Sequence, residues 1–433
     1  MSEAIFTLRR MTGEPKVGDP EAAWCAVREL IEARRPGGLA RRALSLTDAE
    51  RAEIARRLPE FRKQARASLR PDFGDDDDLP WSGWERDRIG GLGEVLQIAG
   101  AATLPSPAAV TAWLGRREFT ARWGAYDPAH VVRVLAARPV AFQADVATRL
   151  AVKIRTADDR LAPLALALLR ACGAPPPEHD PLVAAWLAAG PVSPDPLLGP
   201  MLPRIFEAEG AGRELRDERC EPAPTPWLAL FQRLLAAGVA VGGGPAVPPA
   251  GAPRRGRVSR GELLDHCLRR FLRGGEAPDL RFFVRLHDMI DPSPEESAAR
   301  RRDYLRLLPA APGTVAALAL AQVRRCGPYD DGEAAEAIEA LTFRAETELA
   351  RTGLRWLEDE VRHTPGQAPD LAPALATAFG HASYAIQGRA AQIAIKQATA
   401  FAPAAEVLCA AVPMLPAALG ARVTAAFSSR TAA

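Results

Sequence analysis

Three segments in the C-terminal half of this chain place apolar residues on one register. Around Val315 stand Leu308 seven places before, Leu320 five after and Val323 eight after. Around Ile386 the same offsets hold Phe379, Ala391 and Ala394, and around Leu349 they hold Leu354 and Leu357, with Leu341 one place further back. The central positions Val315, Leu349 and Ile386 lie 34 and 37 residues apart. That interval suits two helices and two short turns, the repeating unit of an α-solenoid. One such pair cannot bury its own apolar face, so neighbouring pairs must stack. A fourth match, centred on Phe142 with Leu135, Ala147 and Leu150 around it, places a related segment in the N-terminal half.

Composition points the same way. Apolar residues make up 48% of the 433 positions but aromatics only 6%. Strands need Val, Ile, Thr and aromatic residues in alternation, and no convincing alternating run occurs. The chain is therefore expected to be all-α. Helix starts are legible at Asp19-Pro20 and at 45-SLTDAERAEIARRLPEFRKQAR-66. In the second, Thr47 and Glu50 have capping-box spacing, Leu46 supplies an apolar staple, and Pro59 implies a helix pair or a kinked helix. Further helices are expected over 91–118, 128–155, around Val183 to Ala189, 262–274, 278–290, 295–308 and onward to about residue 427. Residues 1–237 read as an N-terminal helical region, 238–261 as a Gly/Pro-rich connection and 262–433 as the repeat region.

Charge excludes little and recommends little. The net charge is +2, and of the 55 basic residues only Lys16, Lys63, Lys153 and Lys396 are lysines. Arginine enrichment beside Ala, Gly and Pro is read as the mark of a GC-rich genome. Arg254, Arg255, Arg257 and Arg260 cluster in the connection, and Arg300 to Arg302 follow Glu295 and Glu296. Convergence of these arginines on one face would allow nucleic-acid binding; mixed charge argues against it. The run Asp75 to Asp78 lacks the spacing of a calcium loop and reads as a solvated loop.

Motifs of catalysis are missing. Cys25, Cys172, Cys220, Cys267, Cys326 and Cys409 stand singly, unlike zinc ligands. The histidines form neither HxxxH nor HExxH, although His266 beside Cys267 and His287 beside Asp288 could meet in space. Gly242 to Gly244 and the GGLG at Gly90, Gly91 and Gly93 lack a phosphate-loop context. No catalytic, cofactor-binding or metal residue is assigned, and no cofactor is expected. The N-terminus shows no secretory signal and no apolar run of membrane-spanning length occurs, so a cytoplasmic protein is expected.

The cluster in 378-AFGHASYAIQGRAAQIAIKQA-398 invites a catalytic reading through His381, Tyr384, Gln387, Arg389 and Lys396. The register instead makes it one turn and one helix, with Phe379, Ile386, Ala390, Ala391 and Ala394 inward. This stretch resembles a HEAT-type helix. Together with 263-LLDHCLRRFLRGGEAPDLRFFVRLHDMIDPSPEESAARRRDYLRLL-308 it resembles a bacterial family of helical-repeat proteins of unknown function, best across 258–400 and perceptibly across 25–172. That family is associated with gene neighbourhoods encoding MoxR-type AAA+ ATPases, von Willebrand factor A proteins and SWIM zinc-finger proteins. The resemblance implies an α-solenoid of HEAT-like helical pairs that acts as a non-catalytic scaffold for a protein partner, an AAA+ ATPase or a von Willebrand factor A protein. The alternative it leaves is a HEAT-like nucleic-acid-binding protein or DNA-repair enzyme.

Overall fold

The computed structural model describes residues 19–68, 92–119, 127–236, 259–326 and 331–431. Among them there is no β-strand; the chain is all-helical. It divides into two compact units between Glu214 and Leu215. The first runs through α1 (Pro20–Glu32), α2 (Pro36–Leu44), α3 (Asp48–Ser68), α4 (Gly93–Thr103), α5 (Pro107–Leu114), α6 (Ala129–Ala136), α7 (Val140–Ala151), α8 (Ala162–Cys172), α9 (Asp180–Ala188) and α10 (Leu198–Met201), with the division falling inside α11 (Ala211–Leu215). The second holds α12 (Pro226–Ala236), α13 (Arg260–Leu272), α14 (Ala277–Ile290), α15 (Pro294–Ala298), α16 (Arg301–Leu307), α17 (Gly313–Arg325), α18 (Asp331–Phe343), α19 (Thr347–His363), α20 (Ala368–Phe379), α21 (Tyr384–Lys396), α22 (Ala405–Ala411) and α23 (Ala417–Thr431).

Local chemistry sets many of these boundaries. Asp19 accepts from the amides of Glu21 and Ala22, with Pro20 at the first helical position of α1. Thr47 and Glu50 form the expected reciprocal cap: the Thr47 amide donates to Glu50 Oε2 at 2.7 Å and the Glu50 amide to Thr47 Oγ1 at 3.4 Å. Pro59 lies inside α3, which is one helix and not a pair. The expected helix over 295–308 divides into α15 and α16, because Arg300 leaves helical geometry at φ −116° and ψ 12°. There its guanidinium donates to Gly261 O at 3.1 Å and to Asp265 at 2.7 Å. Two further capping boxes, Ser259 with Glu262 and Ser293 with Glu296, start α13 and α15. Of the expected connection 238–261, only residues 259–261 are described, and they cap and open α13.

Helices pack on their next-but-one neighbours in both units. In the first, α2, α4, α6 and α8 form one such row, while α5 packs on α7. In the second, α18, α20 and α22 form one row and α19, α21 and α23 another, with α18 on α19 and α20 on α21 joining them. The register residues Val315, Leu349 and Ile386 are all buried, as are Phe379, Ala390, Ala391 and Ala394. Phe142 is only half-buried, its ring 4.2 Å from the Arg138 guanidinium carbon, while its partners Leu135, Ala147 and Leu150 are buried. Small residues set the spacing. A Cβ on Gly353 of α19 would stand 2.8 Å from Leu341 Cβ of α18. Among the described residues no helix is long and apolar enough to cross a membrane.

Candidate functional site

Four polar residues of the 378–398 stretch, His381, Gln387, Arg389 and Lys396, are bound to their own scaffold. His381 is buried; its Nε2 meets Arg344 O at 3.0 Å and its Nδ1 accepts the Ser383 amide at 2.9 Å. Gln387 Nε2 donates to Phe379 O at 3.2 Å. Arg389 and Lys396 converge on the buried Glu358 of α19, Arg389 by a hydrogen bond to Oε2 and Lys396 Nζ at 3.0 Å from Oε1, with Arg362 Nη2 3.5 Å from Oε1. A carboxylate withdrawn from water needs this compensation, since one left uncompensated costs several kcal/mol.

Arg344 carries the same logic one turn earlier. Its side chain is 6% exposed. It donates to Leu308 O and Ala311 O at 2.7 Å each, and to both carboxylate oxygens of Glu346 at 3.1 and 2.6 Å. The hydrogen bond from Arg344 holds the Glu346 carboxyl below its ordinary range. The turn at 308–311 is thereby tied to the turn at 344–346, and His381 ties that turn to the next. Only a guanidinium, with five N–H donors in a fixed fork, meets two carbonyls and a carboxylate together. In the first unit Arg138 does likewise with Ala102 O and Leu104 O, at 2.9 and 3.1 Å, and Arg160 with Arg116 O and Gly115 O, at 2.9 and 2.5 Å. Burial works against the charge of both Arg138 and Arg160.

This laddered edge of the second unit exposes large apolar side chains. Phe343 is 79% exposed at the end of α18, Tyr384 is 65% exposed at the start of α21, and Met414 is 50% exposed before α23. The turns that carry them are neighbours. Arg344 meets His381 as described, and a Cβ on Gly380 would stand 3.1 Å from Met414 Sδ. Ala345, Ala382, Ala385 and Pro413 between them are exposed as well. Apolar groups held outward on a fixed frame lose little conformational entropy on binding, and aromatic anchors of this kind dominate interface energetics.

The other constellations weighed from the sequence resolve differently. His287 lies against Tyr304 and Cys267 is buried inside the second unit, whereas His266 faces outward to Arg269. His287 Nε2 meets the Tyr304 hydroxyl at 2.8 Å, and Ser297 Oγ donates to Gln322 Oε1 at 2.9 Å. His287 Nδ1 is buried without a hydrogen-bond partner. Burial pushes the His287 imidazole down to about 4, helped by Arg300 and Arg325, and pushes the Cys267 thiol well up, away from a nucleophilic thiolate. A shallow recess of about 230 Å³ beside residues 298–303 is walled by Glu333, paired with Arg301 at 3.3 Å. Among the described residues no group of three His, Cys, Asp or Glu side chains is placed to hold a metal ion.

The described arginines of the two basic clusters are engaged in ion pairs where contacts are seen. Arg260 pairs with Glu296 at 3.1 Å and Arg300 with Asp265 at 2.7 Å. Arg254, Arg255, Arg257, the run Asp75 to Asp78, Gly90, Gly91 and Gly242 to Gly244 lie outside the described residues. Comparison with family models, curated proteins and solved structures finds nothing that matches this chain.

Proposed function

We propose that the chain is a non-catalytic α-solenoid of HEAT-like helical pairs, working in the cytoplasm as a docking scaffold for a protein partner. The observation that carries this reading is the edge of the second unit, where Phe343, Tyr384 and Met414 stand exposed on neighbouring turns, two of them joined by the His381 hydrogen bond to Arg344 O. The next-but-one packing of α18 to α23 supports the solenoid, because stacked pairs present their turns in series along one edge. Of the polar groups that suggested chemistry, His381 is engaged with backbone, Arg389 and Lys396 with Glu358, and His287 with Tyr304. The partner that fits presents apolar side chains to the edge, and the family resemblance makes an AAA+ ATPase or a von Willebrand factor A protein the first to try.

The test is co-purification with the wild-type chain and with Phe343→Ser/Tyr384→Ser, whose exposed sites leave the fold intact. Loss of an AAA+ ATPase or von Willebrand factor A protein from the double variant, at unchanged melting temperature, supports the reading. Equal retention by both chains overturns it. Each exposed aromatic is expected to contribute about 1–2 kcal/mol to binding.

A further inference from the structure

Charge divides the helices of the second unit between its two rows. The row α18, α20 and α22 holds Asp331, Glu333, Glu336, Glu339, Asp370 and Glu406 and not one lysine or arginine. The row α19, α21 and α23 holds the basic residues, and there the acids are matched. Glu348 pairs with Arg351, Glu358 with Arg389 and Lys396, and Asp359 with Arg362, while Glu360 accepts from Trp356 Nε1 at 2.7 Å. On the first row Glu333 is matched by Arg301, whereas Glu336, Glu339, Asp370 and Glu406 are exposed and have no ion-pair partner among the described residues.

These unpaired acids adjoin the apolar edge. Glu336 and Glu339 stand seven and four positions before the exposed Phe343 on α18, so the three share one helix face. The acids then lie about 10 and 6 Å from Phe343 along the helix axis. On α22 Glu406 is followed by Val407, which is 44% exposed, and eight positions on by Met414. Like charge beside exposed apolar anchors selects an occupant by sign, because basic groups are attracted there and acidic ones repelled. Resting on the docking reading above, we infer that the edge of Phe343, Tyr384 and Met414 takes a basic amphipathic segment of a protein. Its apolar side chains meet the edge, and its Lys or Arg side chains stand about one and two helical turns away, against Glu339 and Glu336.

Two fluorescein-labelled amphipathic helical peptides test this by anisotropy with the whole chain. They share their Leu and Phe positions, and one carries Lys at each flanking position where the other carries Glu. The Lys peptide is expected to bind wild type, more weakly in high salt and about fivefold more weakly to Glu336→Gln/Glu339→Gln. The Glu peptide is expected to bind only Glu336→Lys/Glu339→Lys. Both variants change exposed positions of α18, and their melting temperatures are checked alongside. The inference is overturned if the Lys peptide does not bind at micromolar concentration, or if wild type binds the two peptides equally. The variant Phe343→Ser/Tyr384→Ser separates the two levels. If it loses the Lys peptide while Glu336→Gln/Glu339→Gln keeps it at wild-type strength, the docking edge stands and its selectivity for basic segments falls. If it keeps the Lys peptide at wild-type strength, the edge itself falls and the inference with it. Self-association of the wild-type chain that Phe343→Ser/Tyr384→Ser abolishes would make a second copy the occupant, and that also overturns the inference.

Discussion

At the scale of single residues, arginine is used here as an internal fastener. Arg344→Lys is expected to destabilise the second unit by about 2 kcal/mol and Arg344→Ala by about 3 kcal/mol, because the carbonyls of Leu308 and Ala311 lose their donors out of water. Chemical denaturation of both variants checks the order. His287 gives a pH signature. Its folded-state value of about 4 lies below the ordinary histidine value near 6.5, so the unfolded chain binds the proton first. Stability is therefore full above pH ~6.5 and falls as pH drops toward ~4, by about 3 kcal/mol in all. The difference in unfolding free energy between wild type and His287→Gln should change by that amount over this window; a pH-independent difference would contradict it. These roles were hard to read in sequence. Arginine abundance has a compositional explanation as well, and nothing local marks Arg344 or Arg138 as the one whose carbonyl partners lie 33–36 residues away. His381 is buried between two turns, so His381→Ala leaves Arg344 O and the Ser383 amide without their partner.

At the scale of helices, two glycines predict opposite outcomes. Gly388 lies within α21 with nothing inside 4 Å of its notional Cβ, so Gly388→Ala should stabilise the chain by about 0.5–1 kcal/mol through helix propensity. Gly353→Ala gains the same propensity but meets Leu341 Cβ at 2.8 Å, and overpacking of that kind costs about 1–3 kcal/mol. Net destabilisation is expected there, and thermal unfolding of the pair reads the contrast directly. Helix existence was legible because apolar spacing and caps such as Thr47 with Glu50 are local signals. The division of α15 from α16 was not, since it depends on Arg300 reaching Gly261 and Asp265 in another helix. Nor did the sequence show that Arg389 and Lys396 would meet on Glu358, because ion-pair partners 31 and 38 residues apart carry no local pattern.

At the scale of the molecule, the all-helical class followed from composition and register, whereas the exposed edge did not. Phe343, Tyr384 and Met414 share no sequence spacing of their own. They are neighbours because the turns at 344, 381 and 414 stack, and their exposure is a property of that stacking. On the proposed reading this edge binds a protein. The most direct measurement is photo-crosslinking in cells with p-benzoylphenylalanine at position 343, at position 384, and at the exposed Val152 of the first unit as a control. The account predicts one discrete protein adduct shared by positions 343 and 384 and missing at 152. No adduct at either edge position, or the same adduct at all three, would contradict it.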